Sequence, residues 1–303
     1  EIGKQYGYQF IKNLNLNHSS TQLYEGEYPD IALLGYACDE GVRRNKGRVG
    51  ALEGPDVLKH EWGKLSYHHY EKRVVDLGNL ICPDRKMENC QKELSNCIHY
   101  LLANSIFPIV LGGGHDMAYG HFKGLWEFLK SDSKSRIGII NFDAHFDLRP
   151  LLNQAHSGTP FYQILMEHPK RVDYFAIGIQ ESSNSPELFD IARKNQVEYL
   201  LNHECNGIDF QAVTDRLATF VEKNDYLYLS VDMDGFSSAF APGVSAPSPM
   251  GLDPFFVLKT LQYLFHTQKV ISCDIAELNP RFDSDQQTAN LAARLVDFII
   301  SAV

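Results

Sequence analysis

The chain has 303 residues, 44% of them hydrophobic and 22% charged, with a formal net charge of −10. That size and balance suit a water-soluble protein with an ample core, expected as one domain over 1–303. The acidity argues against nucleic acid or an anionic membrane as partner, and no apolar run reaches membrane-spanning length.

The opening Glu1-Ile2-Gly3-Lys4-Gln5-Tyr6 has no leader character, and without an initial methionine a few native residues are expected to be missing. Strand-like apolar runs then recur at 31–37, 73–80, 107–112, 136–142, 172–179, 196–201, 226–232 and 269–276. Helix-like stretches at 86–104, 117–130, 209–223, 254–267 and 285–302 fall between most of them. Strands apolar on both faces and alternating with helices predict a parallel sheet covered on both sides. Ligands in such sheets gather at the carboxyl ends of the strands. Cys38, Cys82, Cys90, Cys97, Cys205 and Cys273 form no Cys-x-x-Cys pair, which predicts free thiols in a reduced, cytoplasmic protein.

Three of the strand ends carry metal-ligand chemistry. The run 107–112 ends in Gly112-Gly113-Gly114 and then His115, and the glycines let the backbone turn sharply there. No Gly-Lys-Ser/Thr follows, so this is not a phosphate loop. The run 136–142 leads into Asp143-Ala144-His145-Phe146-Asp147, where residues two apart on an extended chain share one side. Two carboxylates and an imidazole on one face repel and desolvate one another unless a cation sits among them. The run 226–232 ends in Asp232-Met233-Asp234. Four aspartates balance two divalent cations, and an oxygen-rich set with a little imidazole suits manganese better than zinc or copper. Two such ions bridged by a water would produce hydroxide near neutral pH.

These blocks, with Ser272-Cys273-Asp274-Ile275-Ala276-Glu277-Leu278-Asn279-Pro280, resemble the arginase and agmatinase superfamily, the ureohydrolases, in family order from about residue 31 onward. The resemblance implies a three-layer α/β/α sandwich around an eight-stranded parallel sheet. It implies two Mn2+ per subunit, held by His115, Asp143, His145, Asp147, Asp232 and Asp234, and a homo-oligomer. Glu277 matches the acid that pairs with a guanidinium-type substrate group, and Asp274 is expected to order that strand end. Asp147 would also hydrogen-bond the metal-bridging hydroxide and carry its proton to the leaving nitrogen.

The chain departs from arginase and agmatinase in Gln154-Ala155-His156-Ser157-Gly158-Thr159-Pro160-Phe161. Serine stands where those enzymes have a histidine read as a proton shuttle, and His156, one residue earlier, is kept as the candidate for that role. This form, together with 37–51 (Ala37-Cys38-Asp39-Glu40-Gly41-Val42-Arg43-Arg44-Asn45-Lys46-Gly47-Arg48-Val49-Gly50-Ala51), is similar to the formimidoylglutamase branch. The implied reaction is hydrolysis of N-formimidoyl-L-glutamate to L-glutamate and formamide, in histidine degradation. The alternative is a ureohydrolase releasing urea from a guanidino substrate. A dicarboxylate needs cations and amide donors, so Arg149, Arg44, Asn45, Arg48 and Asn184 are candidate substrate contacts. Glu181 points the other way, since it could serve a substrate amine.

Overall fold

The computed structural model describes residues 5–10, 12–13, 29–132, 134–205 and 210–303. The opening residues 1–4 and residue 209, at the start of one expected helix, lie outside these. Eight parallel strands form the sheet: β2 (Ile31–Ala37), β3 (Val74–Ile81), β4 (Phe107–Gly112), β5 (Ile137–Phe142), β6 (Val172–Ile179), β7 (Glu198–Leu201), β8 (Tyr226–Asp232) and β9 (Val270–Ala276). A two-residue strand, β1 (Lys12–Asn13), adds to one edge, parallel to β3. Each of the eight expected runs is a strand, with ends within two residues of the sequence reading.

The helices are α1 (Glu40–Arg44), α2 (Gly54–Gly63), α3 (Met87–Ala103), α4 (Met117–Leu129), α5 (Pro160–Glu167), α6 (Pro186–Lys194), α7 (Phe210–Lys223), α8 (Pro254–His266) and α9 (Gln287–Ala302). Four of these, α1, α2, α5 and α6, were not expected. They are short, and three begin at or beside a proline, which suits the first helical turn.

The helices separate into two layers because each strand sends alternate side chains to opposite faces. Ile31 and Leu33 of β2, with Leu227, Leu229 and Val231 of β8, pack against α2, α7, α8 and α9. Ala32, Leu34 and Tyr36 of β2, with Tyr228 of β8, pack against α3, α4, α5 and α6. The central strands are almost wholly buried, as the two-sided apolar runs required.

Strand order places the site. It runs β1-β3-β2-β4-β9-β8-β5-β6-β7, so β4, β9, β8 and β5 are consecutive neighbours at the centre. Their carboxyl ends carry His115, Glu277, Asp232 and Asp143, so residues more than a hundred positions apart in sequence meet at one rim. Two close backbone approaches make this possible. Gly113 donates its N–H to Tyr36 O (2.8 Å), and a Cβ there would lie 2.0 Å from Cys38 O. Gly235 follows the Asp232/Asp234 turn, where a Cβ would meet Asp143 Cα at 2.8 Å.

Gly113→Ala should therefore push β2 and β4 apart, at about 1–3 kcal/mol, as for other overpacked sites. Denaturant unfolding of metal-free protein checks this, and an unchanged midpoint would show that the close approach carries no constraint.

Candidate metal centre

The segment after β5 is held in shape by its own polar groups. Asp143 Oδ1 accepts the His145 N–H (2.7 Å), while Asn141 Nδ2 donates to Asp143 Oδ2 (3.0 Å). Asp232 does the same for its neighbour, accepting the Asp234 N–H at 2.7 Å. These turns aim the remaining carboxylate oxygens inward. Asp147 and Glu277 complete the rim with φ of 48° and 64°. Backbone strain of that kind in a non-glycine residue persists only where the surroundings impose it, and it concentrates at functional sites.

All six expected ligands come together, in two overlapping groups. His115, Asp143, Asp147 and Asp232 form one, and Asp143, His145 and Asp234 the other, with ligand atoms inside each group within 4.8 Å of one another. Asp143 belongs to both and is the residue placed to bridge two ions. His115 Nδ1 lies 2.9 Å from Asp232 Oδ2, 3.0 Å from Asp147 Oδ2 and 3.4 Å from Asp143 Oδ2, yet has no in-line hydrogen bond to any of them. His145 Nδ1 lies 3.3 Å from Asp234 Oδ1 and 3.4 Å from Asp143 Oδ1.

Electrostatics shows why protein groups alone leave this cluster unsatisfied. Burial and the adjacent Asp143 push Asp232 up to about 6, and burial with the Asp232 charge pushes Asp234 well above the carboxylate range. Burial disfavours charge on His115 and His145, but their carboxylate neighbours outweigh it and raise both. Burial also works against an ionised Asp143, and the two histidines overcome it and lower that acid. Three buried polar atoms at the site have no partner: His115 Nδ1, Asp234 Oδ1 and Glu277 Oε2. Two divalent cations fit this donor set, because they neutralise the four aspartates and satisfy the first two orphans.

Glu277 sits at the end of β9 with only 4% of its surface exposed. Oε1 accepts the His115 N–H at 2.9 Å, while Oε2 is buried without a partner. Burial, then Asp232 and Asp234, hold its carboxyl well above the usual range.

The expected substrate contacts divide. Arg149 and Asn45 meet beside Gly158, where the guanidinium donates to Asn45 Oδ1 and Asn45 Nδ2 donates to Ser157 Oγ (3.0 Å). Among the described residues Arg149 pairs with no carboxylate. His156 is half-buried beside them; its Nδ1 accepts the Gly158 N–H (3.1 Å), and burial together with Arg149 lowers its pKa. Arg44 and Asn184, by contrast, are committed to the protein. Arg44 Nε bonds Glu40 (3.0 Å), Nη1 bonds Glu88 (2.5 Å) and Ala155 O (3.1 Å), and Nη2 bonds Glu88 (3.2 Å). Asn184 accepts from Phe146 N and donates to Ala144 O and Gln180 O, so its amide shapes the ligand segment and has no donor left for a substrate. Arg48 bonds Val244 O and Ser245 O and stacks on Phe282.

A cleft of about 360 Å³ opens beside His145, walled by Gln180, Ser182, Ser183 and the segment 246–250. Glu181 is exposed and does not line it. Sequence reasoning passed over Asn141 and His121. Asn141 was detectable, two residues before Asp143 on the same strand face; His121, on α4, had no signal in the sequence.

Fold and site together define a hydrolytic enzyme built around a carboxylate–histidine metal cluster. The arginase family matches residues 29–301, and the chain belongs to that family. It is 41% identical over 302 residues to a formimidoylglutamase of Clostridium tetani, covering 98% of this chain and 89% of that protein. The crystal structure of formimidoylglutamase from Bacillus subtilis superposes with a TM-score of 0.86 at 22% identity, over 100% of this chain and 93% of that one, a likeness of fold. Trypanosoma cruzi formiminoglutamase with Mn2+2 gives a TM-score of 0.82 at 25% identity, covering 92% and 96% of the two chains.

Ionising Asp232, Asp234 or Glu277 is costlier in the metal-free fold than in the unfolded chain. Their contribution to stability is therefore present at low pH and lost as pH rises through the raised folded values, about 6 for Asp232. Metal reverses this by favouring the ionised forms. The melting-temperature gap between manganese-loaded and stripped protein should widen from about pH 5 to about pH 8. A constant gap would mean that Asp232 and Asp234 are not ligands.

Proposed function

We propose that this enzyme is a manganese-dependent formimidoylglutamase, hydrolysing N-formimidoyl-L-glutamate to L-glutamate and formamide through one catalytic domain. The carrying observation is the unpartnered Glu277 Oε2 beside the ligand cluster, which suits a planar amidinium. When bound, the two ions supply a water nucleophile at neutral pH and stabilise charge developing at the amidine carbon.

The residues around them do the rest. Glu277 grips the amidinium nitrogen and so presents the carbon to the nucleophile, an orientation effect. Asp147, partly exposed at the rim, takes the proton of the attacking water and delivers it to the glutamate nitrogen as the C–N bond breaks. His156, neutral at pH 7 and engaged only at Nδ1 by Gly158, is the proton carrier nearest the mouth. Arg149, steadied by Asn45, receives a substrate carboxylate. The choice of a dicarboxylate over a guanidino amino acid rests on that unpaired guanidinium, on a cleft wall without an acid, and on the formimidoylglutamase names of the relatives. The six free cysteines agree with a cytoplasmic setting.

Manganese-loaded protein given N-formimidoyl-L-glutamate should release formamide, and arginine or agmatine should give little urea. Faster urea release would move the enzyme to the ureohydrolase side of the family. Arg149→Met should raise KM for the dicarboxylate while leaving kcat near the parent value; an unchanged KM takes Arg149 out of the pocket. Glu277→Gln removes the charge partner of a buried cation, worth about 2–5 kcal/mol, so kcat/KM should fall by about 30-fold or more. A smaller fall would show that Glu277 does not hold the reacting group.

A further inference from the structure

Behind His115, on the α3–α6 side of the sheet, lies a chain of fully buried polar groups. His115 Nε2 is 2.8 Å from Ser230 Oγ, and that hydroxyl donates to Asp274 Oδ1 at 2.6 Å. Asp274 Oδ2 accepts from Tyr228 Oη and lies 2.7 Å from His121 Nδ1. His121 Nε2 in turn contacts Ser272 Oγ at 2.5 Å, and Ser272 reaches Pro108 O at 3.2 Å. His115, His121, Ser230, Tyr228, Ser272 and Asp274 all show no exposed surface. Closed off from bulk solvent, these groups satisfy one another, and the hydrogen count sets the direction of the chain.

The count has one solution at its metal end. Ser230 has a single hydroxyl proton, and the carboxylate of Asp274 can only accept it. Ser230 Oγ must then accept from His115, which puts a proton on Nε2 and leaves the Nδ1 lone pair facing Asp143, Asp147 and Asp232. We infer that Ser230, Asp274 and His121 form a positioning relay that holds His115 in its Nδ1-ligating form. His121, anchored on α4, fixes the Asp274 carboxylate so that Oδ1 points at Ser230. The inference rests on the reading of the cluster as a two-metal site. His145 has no corresponding relay among the described contacts, so the two positions should differ in how they respond to damage behind His115. Loss of such an outer partner typically costs 10–100-fold in metal affinity.

The test is calorimetric titration of stripped protein with Mn2+, reading affinity and stoichiometry rather than activity. Wild type should take up two ions. Ser230→Ala and Asp274→Asn should each weaken one of the two by about 10–100-fold and leave the other unchanged. Ser230→Thr, which keeps the hydroxyl acceptor, should restore the weakened site. An Asp274→Asn chain that does not fold leaves the Ser230→Ala and Ser230→Thr pair to decide. Unchanged binding in Ser230→Ala, or equal loss at both positions, overturns the relay. Wild-type protein that binds no pair of ions overturns the two-metal reading and the relay with it.

Discussion

Four carboxylates and two imidazoles crowd one rim, and the repulsion among the carboxylates is the constraint that the rest of the structure answers. Two charges about 4 Å apart interact with about 4 kcal/mol at an effective dielectric near 20, several-fold more than in water. Asp232 and Asp234 lie far enough inside to feel this, which is why their carboxyls resist ionisation and Asp143 ionises only against its histidines. A fold can keep such a cluster only if rigid elements hold it and cations complete it. The parallel sheet supplies the first by ending four adjacent central strands at one rim. The unpartnered His115 Nδ1 and Asp234 Oδ1 mark where the second must come.

Much of this was legible in the sequence because the relevant periodicities are short. Alternation along a strand placed Asp143, His145 and Asp147 on one side, and two-sided apolar runs placed eight strands in a covered parallel sheet. The six ligands needed only those rules and the tendency of ligands to collect at carboxyl ends of strands. Nothing local announced that β9 lies between β4 and β8. That order brings Glu277 beside His115, and it is a property of the whole packing. Short proline-headed helices left no such mark, since their stability comes from contacts with the sheet and not from their own pattern.

The arginines show where residue type stops being informative. Arg44, Arg48 and Arg149 are equal candidates by charge, and only packing separates them. Arg44 clasps Glu40 and Glu88 and so ties α1 to α3, while Arg48 is spent on backbone carbonyls. Asn184 likewise spends its amide on the backbone of the ligand segment. Arg149 alone of these faces the mouth without an acid, paired to an amide oxygen that aligns it and leaves its charge uncompensated. Exposed and bound only to a neutral amide, Arg149 keeps its charge available to an anion.

That placement also orders the substrate by charge. In the proposed function the buried, acidic surroundings of Glu277 take the cationic amidine end, and exposed Arg149 takes a carboxylate. A molecule carrying both, in that sequence, is bound in one orientation and rejected in the other, because reversal sets like charges against each other at both ends. A guanidino amino acid would satisfy the inner half equally well. The proposed reading separates the two at the other end, where the cleft beside His145 is lined by Gln180, Ser182 and Ser183 and by no carboxylate. On the proposed function, discrimination between the two substrate classes lies with Arg149 and its neighbours and not with the metal ligands.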